Sequence, residues 1–156
     1  MPNLLNDDIR GQVKDLFDAQ LKQPVEVLFF GSSIKENCEY CEETHQLLEE
    51  VISISEKLHL NVYDIDQDSS TAQAYHVDKT PTTVIAAKND GDLSGKDALT
   101  DFGIRYAGIP SGHEFSSLIH SIVLASGRDS GLKPETRQLL SKLTKPIHLQ
   151  VFVTPT

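Results

Sequence analysis

The spacing of apolar and polar positions divides the chain into segments of helical period and segments of strand period. Between Asn6 and about Leu21, the residues Ile9, Val13, Leu16, Phe17 and Leu21 fall on one stripe, with Asn6 or Asp7 available as an N-cap. This predicts an amphipathic helix. Pro24 then opens Val25-Glu26-Val27-Leu28-Phe29-Phe30, a β-branched and aromatic run of strand length. Its near-continuous hydrophobicity suits a central strand covered on both faces. Residues 31–37 are a polar loop that delivers the chain to Cys38. From Cys41 the period turns helical again: Leu47, Leu48, Val51, Ile52 and Ile54 form the apolar stripe, while Glu42, Glu43, Glu49 and Glu50 lie on the polar side.

The second half continues the alternation. His59 to Ile65 reads as a strand, Ser69 to about His76 as a short helix, and Thr82 to Ala87 as a strand headed by Pro81. Lys88 to Asp101, with its Asn-Asp-Gly-Asp and Ser-Gly-Lys stretches, predicts a lengthened hairpin loop. Phe102 to Tyr106 would be the return strand. Ser111-Gly112-His113-Glu114 has the spacing of a capping box. Phe115, Leu118, Ile119, Ile122 and Val123 behind it make an unbroken helical stripe, which Gly127 to Gly131 ends. Pro134 to about Leu143 predicts one more short helix.

Pro146-Ile147-His148-Leu149-Gln150-Val151-Phe152 repeats the pattern of Pro24-Val25-Glu26-Val27-Leu28-Phe29-Phe30. Both follow an amphipathic helix and both begin with proline, so the chain reads as opening a second copy of its own unit. The element order over residues 24–126 is β-α-β-α-β-β-α. Helical crossovers between the early strands imply parallel pairing there, and the later hairpin adds antiparallel strands. The expected architecture is therefore α/β, with a mixed sheet, flanking helices and an extra N-terminal helix. Residues 1–128 would form this unit, and residues 129–156 a linker helix and the first strand of a second one.

Length and charge narrow the possible functions. The chain has 156 residues, enough to bury a core without disulfide staples, and a formal net charge of -9. That charge argues against nucleic acid and anionic membrane surfaces as partners. The longest apolar runs are strand-sized, and the acidic start lacks the apolar stretch of a signal peptide. A cytoplasmic location is expected. There, two closely spaced cysteines read as catalytic or metal-binding.

The only two cysteines are Cys38 and Cys41, in Asn37-Cys38-Glu39-Tyr40-Cys41-Glu42-Glu43-Thr44-His45. After a strand and at the opening of a helix, Cys38 would sit at a helix N-terminus, where free amide groups and the dipole favour a thiolate. Residues three apart on a helix share a face, so Cys41 can close a disulfide with Cys38. A solvent-facing Cys38 would attack, and a more buried Cys41 would resolve the mixed disulfide. A zinc site would need four ligands; His45 is one candidate, and no fourth follows by spacing. His45 reads more readily as a solvated helix residue than as a base. Glu26 is either a buried acid that moves the Cys41 proton or a charge near an open strand end. The second signal is Thr80-Pro81 at the head of a strand. A cis-proline facing the dithiol would expose the Thr80 backbone to an extended substrate and present no N–H beside the sulfurs.

Cys38-Glu39-Tyr40-Cys41, Thr80-Pro81 and the element order together resemble a thioredoxin-fold protein. More closely, the chain resembles the glutaredoxin-like protein disulfide oxidoreductases, which are built from two tandem thioredoxin-fold units. The stretch Phe102-Gly103-Ile104-Arg105-Tyr106-Ala107-Gly108-Ile109-Pro110-Ser111-Gly112-His113-Glu114-Phe115 and the closing Val151-Phe152-Val153-Thr154-Pro155-Thr156 carry that likeness. The resemblance implies a thiol-disulfide oxidoreductase with Cys38 and Cys41 as catalytic residues, and Tyr40, Thr80 and Pro81 at the substrate. It implies no bound cofactor, because the redox group is the protein's own disulfide. The implied partners are protein disulfide or dithiol substrates, a flavin-dependent reductase of the thioredoxin-reductase kind, and a peroxiredoxin. Self-association through residues 146–156 is a further expectation. Two other readings stay open: a glutathione-dependent glutaredoxin, and an accessory unit that positions a second redox unit.

Overall fold

The computed structural model describes residues 4–89 and 98–153. Helix α1 (Asp7–Gln20) starts where expected: the Asn6 side chain accepts the Ile9 N–H at 2.8 Å, and Asp7 and Asp8 lie at the positive end of the dipole. Val13 and Phe17 are its buried residues. Strand β1 (Val25–Gly31) is buried at all seven positions and lies in the middle of the sheet. It pairs in parallel with β2 (Leu58–Asp64) and antiparallel with β3 (Thr82–Lys88), which in turn pairs antiparallel with β4 (Leu99–Ala107). The order is β2-β1-β3-β4.

The pleat sends alternate β1 side chains to opposite faces. Val25, Val27 and Phe29 join the core under α1, α2 (Cys41–Ile52) and α4 (His113–Gly127), against Phe17, Leu48, Leu118 and Ile122. Leu28 and Phe30 face the other way, onto Ala72 and Tyr75 beside the short helix α3 (Ser69–Ala74). The mixed α/β sheet with an extra N-terminal helix is thus the architecture read from the sequence. Among the described residues no helix is long and apolar enough to cross a membrane.

Several boundaries differ from expectation. The return strand begins at Leu99, not Phe102, because Lys88, Ala87 and Ala86 continue the ladder to Leu99, Thr100 and Asp101. The register then shifts between Ile85 and Ala86, which absorbs Phe102 and Gly103 as a bulge with Gly103 at φ +76°. The predicted loop of residues 88–101 is correspondingly shorter; its residues 90–97 lie outside the described residues, as do 154–156 of the closing strand. The capping box does not form. Gly112 holds the cap position at φ 59°, and the Glu114 N–H reaches the Ser111 backbone oxygen at 3.2 Å. The fifth helix, α5 (Pro134–Leu140), is shorter than predicted. Residues 146–153 form no strand, because no neighbouring strand offers them a ladder; every described residue from Asp129 onward is exposed.

Candidate functional site

The site is assembled where β1 ends. The loop after Gly31 is strapped to the end of β2: the Ser33 N–H donates to Asp64 Oδ2 at 2.8 Å, and the Ser32 hydroxyl to Asp66 Oδ2 at 2.9 Å. The bonds from Ser33 hold the Asp64 carboxyl below the usual carboxylate range. A single 3-10 turn (Lys35–Asn37) follows, and the Cys38 N–H closes it on the Lys35 carbonyl at 3.2 Å. Cys38 and Cys41 form a disulfide with their Cα atoms 5.4 Å apart. Helix α2 starts at Cys41, with Tyr40 as its cap residue; the Thr44 N–H and hydroxyl both donate to the Tyr40 carbonyl, at 3.0 and 2.6 Å.

The depths of the two cysteines are the reverse of expectation. Cys38 is buried, with 8% of its surface exposed, and Cys41 is half-buried. Cys38 also precedes the first helical residue instead of opening the helix. A tertiary contact adjoins Cys38. The Thr80 hydroxyl donates to the Asn37 carbonyl at 2.6 Å, which fastens the turn carrying Thr80 and Pro81 to the residue before Cys38. The Thr80–Pro81 bond is cis, as anticipated from the strand-heading proline. Pro81 is buried, and its carbonyl accepts the Gly108 N–H at 2.8 Å. Tyr40 stands exposed at the cap.

Cys41 packs closely against β1. A Cβ placed on Gly31 would lie 3.0 Å from Phe29 Cε1 and 3.1 Å from Cys41 Sγ, so the sulfur occupies space that only glycine leaves open. Gly31 and Phe29 are site residues that the sequence reading passed over. A glycine closing an otherwise bulky strand was the available signal for a close approach.

The other candidates separate. Glu26 is buried, but it cannot serve Cys41. It lies five residues before Gly31, roughly 16 Å along the strand, and its odd spacing from Gly31 puts it on the opposite face. There it accepts from Asn61 Nδ2 at 2.7 Å and faces His59 Nδ1 at 3.1 Å, on the wall of a cavity of about 400 Å³ shared with Tyr63 and Tyr75. His45 stays near the disulfide. Its ring lies 5.5 Å from the Phe29 ring, and its Nε2 is 3.7 Å from Glu49 Oε1. Together with Phe29, Gly31, Cys41 and Val62 it lines a groove of about 280 Å³. Among the described residues no group of His, Cys, Asp or Glu side chains is placed to hold a metal ion.

Comparison with known proteins agrees with this geometry. A thioredoxin domain model matches residues 26–100. The alkyl hydroperoxide reductase component AhpF of Staphylococcus epidermidis is 28% identical over 153 residues, covering 98% of this chain and 25% of that protein. Its counterpart in Staphylococcus aureus is 27% identical over a span of the same length. Among solved structures, a protein disulfide oxidoreductase from Aeropyrum pernix superposes with a TM-score of 0.71 at 28% identity, over 88% of this chain and 55% of that one. AhpF of Enterococcus faecalis superposes with a TM-score of 0.72 at 25% identity, over 90% and 62%. The chain spans a quarter of the length of the curated relatives it matches. It is a thioredoxin-like redox domain with a Cys-x-x-Cys disulfide, and it resembles both the N-terminal domain of AhpF and the Aeropyrum pernix protein disulfide oxidoreductase.

Proposed function

We propose that this thioredoxin-like domain exchanges disulfides with protein substrates through Cys38 and Cys41. The observation that carries the reading is the Cys38–Cys41 disulfide set between the end of β1 and the start of α2, beside the Thr80–Pro81 turn. Cys38 attacks the substrate disulfide. It sits in the connecting loop, next to the peptide that would pair with an extended substrate, and opening the Asn37–Thr80 contact uncovers it. Cys41 resolves the mixed disulfide, because its sulfur is wedged against Gly31 and Phe29 and is held in place for an intramolecular attack. Tyr40, Thr80 and Pro81 meet the substrate chain.

The partners follow from the kind of relative. Proteins named as part of an alkyl hydroperoxide reductase support a flavin-dependent reductase on one side of this disulfide and a peroxiredoxin on the other. Insulin reduction with dithiothreitol as reductant tests the assignment. Cys38→Ser abolishes turnover, and Cys41→Ser, reduced and then mixed with insulin after the dithiothreitol has been removed, accumulates a mixed disulfide that no second cysteine of the protein resolves. Wild-type turnover in the Cys38→Ser protein would overturn the roles. The accessory reading draws on one observation, the row of exposed apolar residues Ile147, Leu149, Val151, Phe152 and Val153, which suits a surface that packs on another unit. The same assay separates the two: absence of turnover by the wild-type chain favours the accessory unit.

A further inference from the structure

We propose that His45 is the acid–base partner of Cys41, taking its thiol proton as the mixed disulfide on Cys38 is resolved. The inference rests on the thiol-disulfide exchange proposed above and assigns one step of it.

Resolution needs Cys41 as a thiolate. An ordinary cysteine, with a pKa near 8.5, is only about 3% ionised near pH 7. Thioredoxin-like chemistry at this sulfur therefore gains from a nearby base, and Glu26, on the far face of the sheet, is not one.

The groups facing the groove can be taken in turn. Glu42, on α2, is exposed and points about 100° around the helix from Cys41. Asp64, at the end of β2, already accepts the N–H groups of Ser33, Asp66 and Gln67. Tyr63, also from β2, has its hydroxyl pushed further into the protonated form by burial. From β1 come only Phe29 and Gly31, and from the loop Ser32 and Ser33. His45 remains. It lies one helical turn after Cys41, where side chains four apart meet and lean toward the helix N-terminus, and so toward Cys41. Phe29 is their shared floor: its ring carries His45 on one side and converges with Cys41 Sγ on Gly31. Glu49, a further turn on, stands 3.7 Å from His45 Nε2, too far for a hydrogen bond. Cys41 and His45 thus place a nucleophile and a base one turn apart on one face of α2.

The step balances within the protein and its substrate. An imidazole nitrogen of His45 takes the proton from the Cys41 thiol. The Cys41 thiolate attacks Cys38 Sγ, and the Cys38–Cys41 bond forms as the bond from Cys38 to the substrate sulfur breaks. The substrate thiolate leaves with the electron pair and is reduced, while the cysteine pair is oxidised. His45 returns its proton to that thiolate, or to water in the groove.

Stopped-flow reaction of the reduced full chain with dithiobis-nitrobenzoate tests this. One coloured thiolate is released when Cys38 attacks, and a second when Cys41 resolves. His45→Gln should leave the first phase unchanged and slow the second about ten- to thirtyfold near pH 7, the ceiling set by the thiolate fraction of an ordinary cysteine. The slowing should shrink as pH rises and vanish above about pH 9, where Cys41 ionises unaided. The proposal is overturned by a second phase within twofold of wild type in the His45→Gln protein. Slowing by one factor at every pH, as a mere packing defect gives, overturns it equally. Failure of the underlying exchange reading looks different: the wild-type protein would release no stepwise pair, and Cys41→Ser would not stop after the first.

Discussion

Gly31→Ala probes how tightly the disulfide is built into the sheet. Gly31 has no left-handed φ, so alanine can take up the backbone conformation, and the gain from a stiffer unfolded chain is about 0.4–1 kcal/mol. The new methyl carbon would stand 3.0 and 3.2 Å from two Phe29 ring carbons and 3.1 Å from Cys41 Sγ, about half an ångström inside a comfortable contact. Neither neighbour yields easily. Phe29 is locked in the core under His45, and Cys41 is held by both the helix and the disulfide. Overpacking of this kind costs about 1–3 kcal/mol, which leaves a net loss of about 1–2 kcal/mol in the oxidised protein and a melting temperature lower by roughly 3–6 °C. In the reduced protein, Cys41 can turn its sulfur away and relieve part of the clash. The disulfide form therefore loses more than the dithiol form. A difference of about 1 kcal/mol makes the midpoint potential about 20 mV less negative. Thermal melts of both forms, with equilibration in a glutathione buffer, measure the two effects. Equal destabilisation of the oxidised and reduced proteins would show that the clash belongs to Phe29 alone. An unchanged melt in both would refute the close approach altogether.

Three other substitutions test the packing of the fold. Ser126 is fully buried in α4; its hydroxyl accepts the Lys22 and Gln23 N–H groups at 2.9 and 3.0 Å and donates to the Gln23 carbonyl at 2.6 Å, so Ser126→Ala should cost about 2 kcal/mol in urea unfolding, and an unchanged midpoint would contradict this. Thr83 Oγ1 is buried without a hydrogen-bond partner among the described residues, so Thr83→Val should stabilise the fold by about 1 kcal/mol, and a loss of stability would mean the hydroxyl is satisfied. Arg105 holds the Asp101 carboxyl below its usual range through two charge-assisted bonds, against the opposing effect of partial burial. A lowered pKa stabilises the fold above the unfolded-state value and loses that contribution as pH falls through the folded one. Asp101→Asn should therefore cost about 1 kcal/mol near pH 7 and progressively less as pH falls below about 4, and a cost independent of pH would rule out the ion pair as its source.

What the sequence shows of the fold is what local pattern decides. The apolar run Val25 to Phe30 announces a strand covered on both faces, and the stripes of α1, α2 and α4 announce the helices that cover one of them. The misses are relations between distant segments. Leu99-Thr100-Asp101 is too polar to read as a strand, yet it is one because β3 offers it a ladder. Residues 146–153 have strand composition and no ladder, so they remain exposed chain. Ser111 and Glu114 have the capping-box spacing, but the backbone of Gly112 puts them out of register for it.

The site divides along the same line. Cys-x-x-Cys before a helix and a proline before a strand are short-range signals, and both lead to the disulfide beside the cis Thr80–Pro81 bond. The segment before Cys38 is fastened about 40 residues away along the chain, by the Thr80 hydroxyl on the Asn37 carbonyl, and no local pattern carries that. Glu26 is the instructive case. Strand parity alone separates it from Gly31, but parity says nothing about Cys41 until one knows that Cys41 rests on Gly31. Once that contact is in place, the helix supplies the rest. Its period carries the line from Cys41 to His45, so the group best placed to move a proton at the half-buried Cys41 sulfur lies on the same element as the sulfur and not on the strand beneath it.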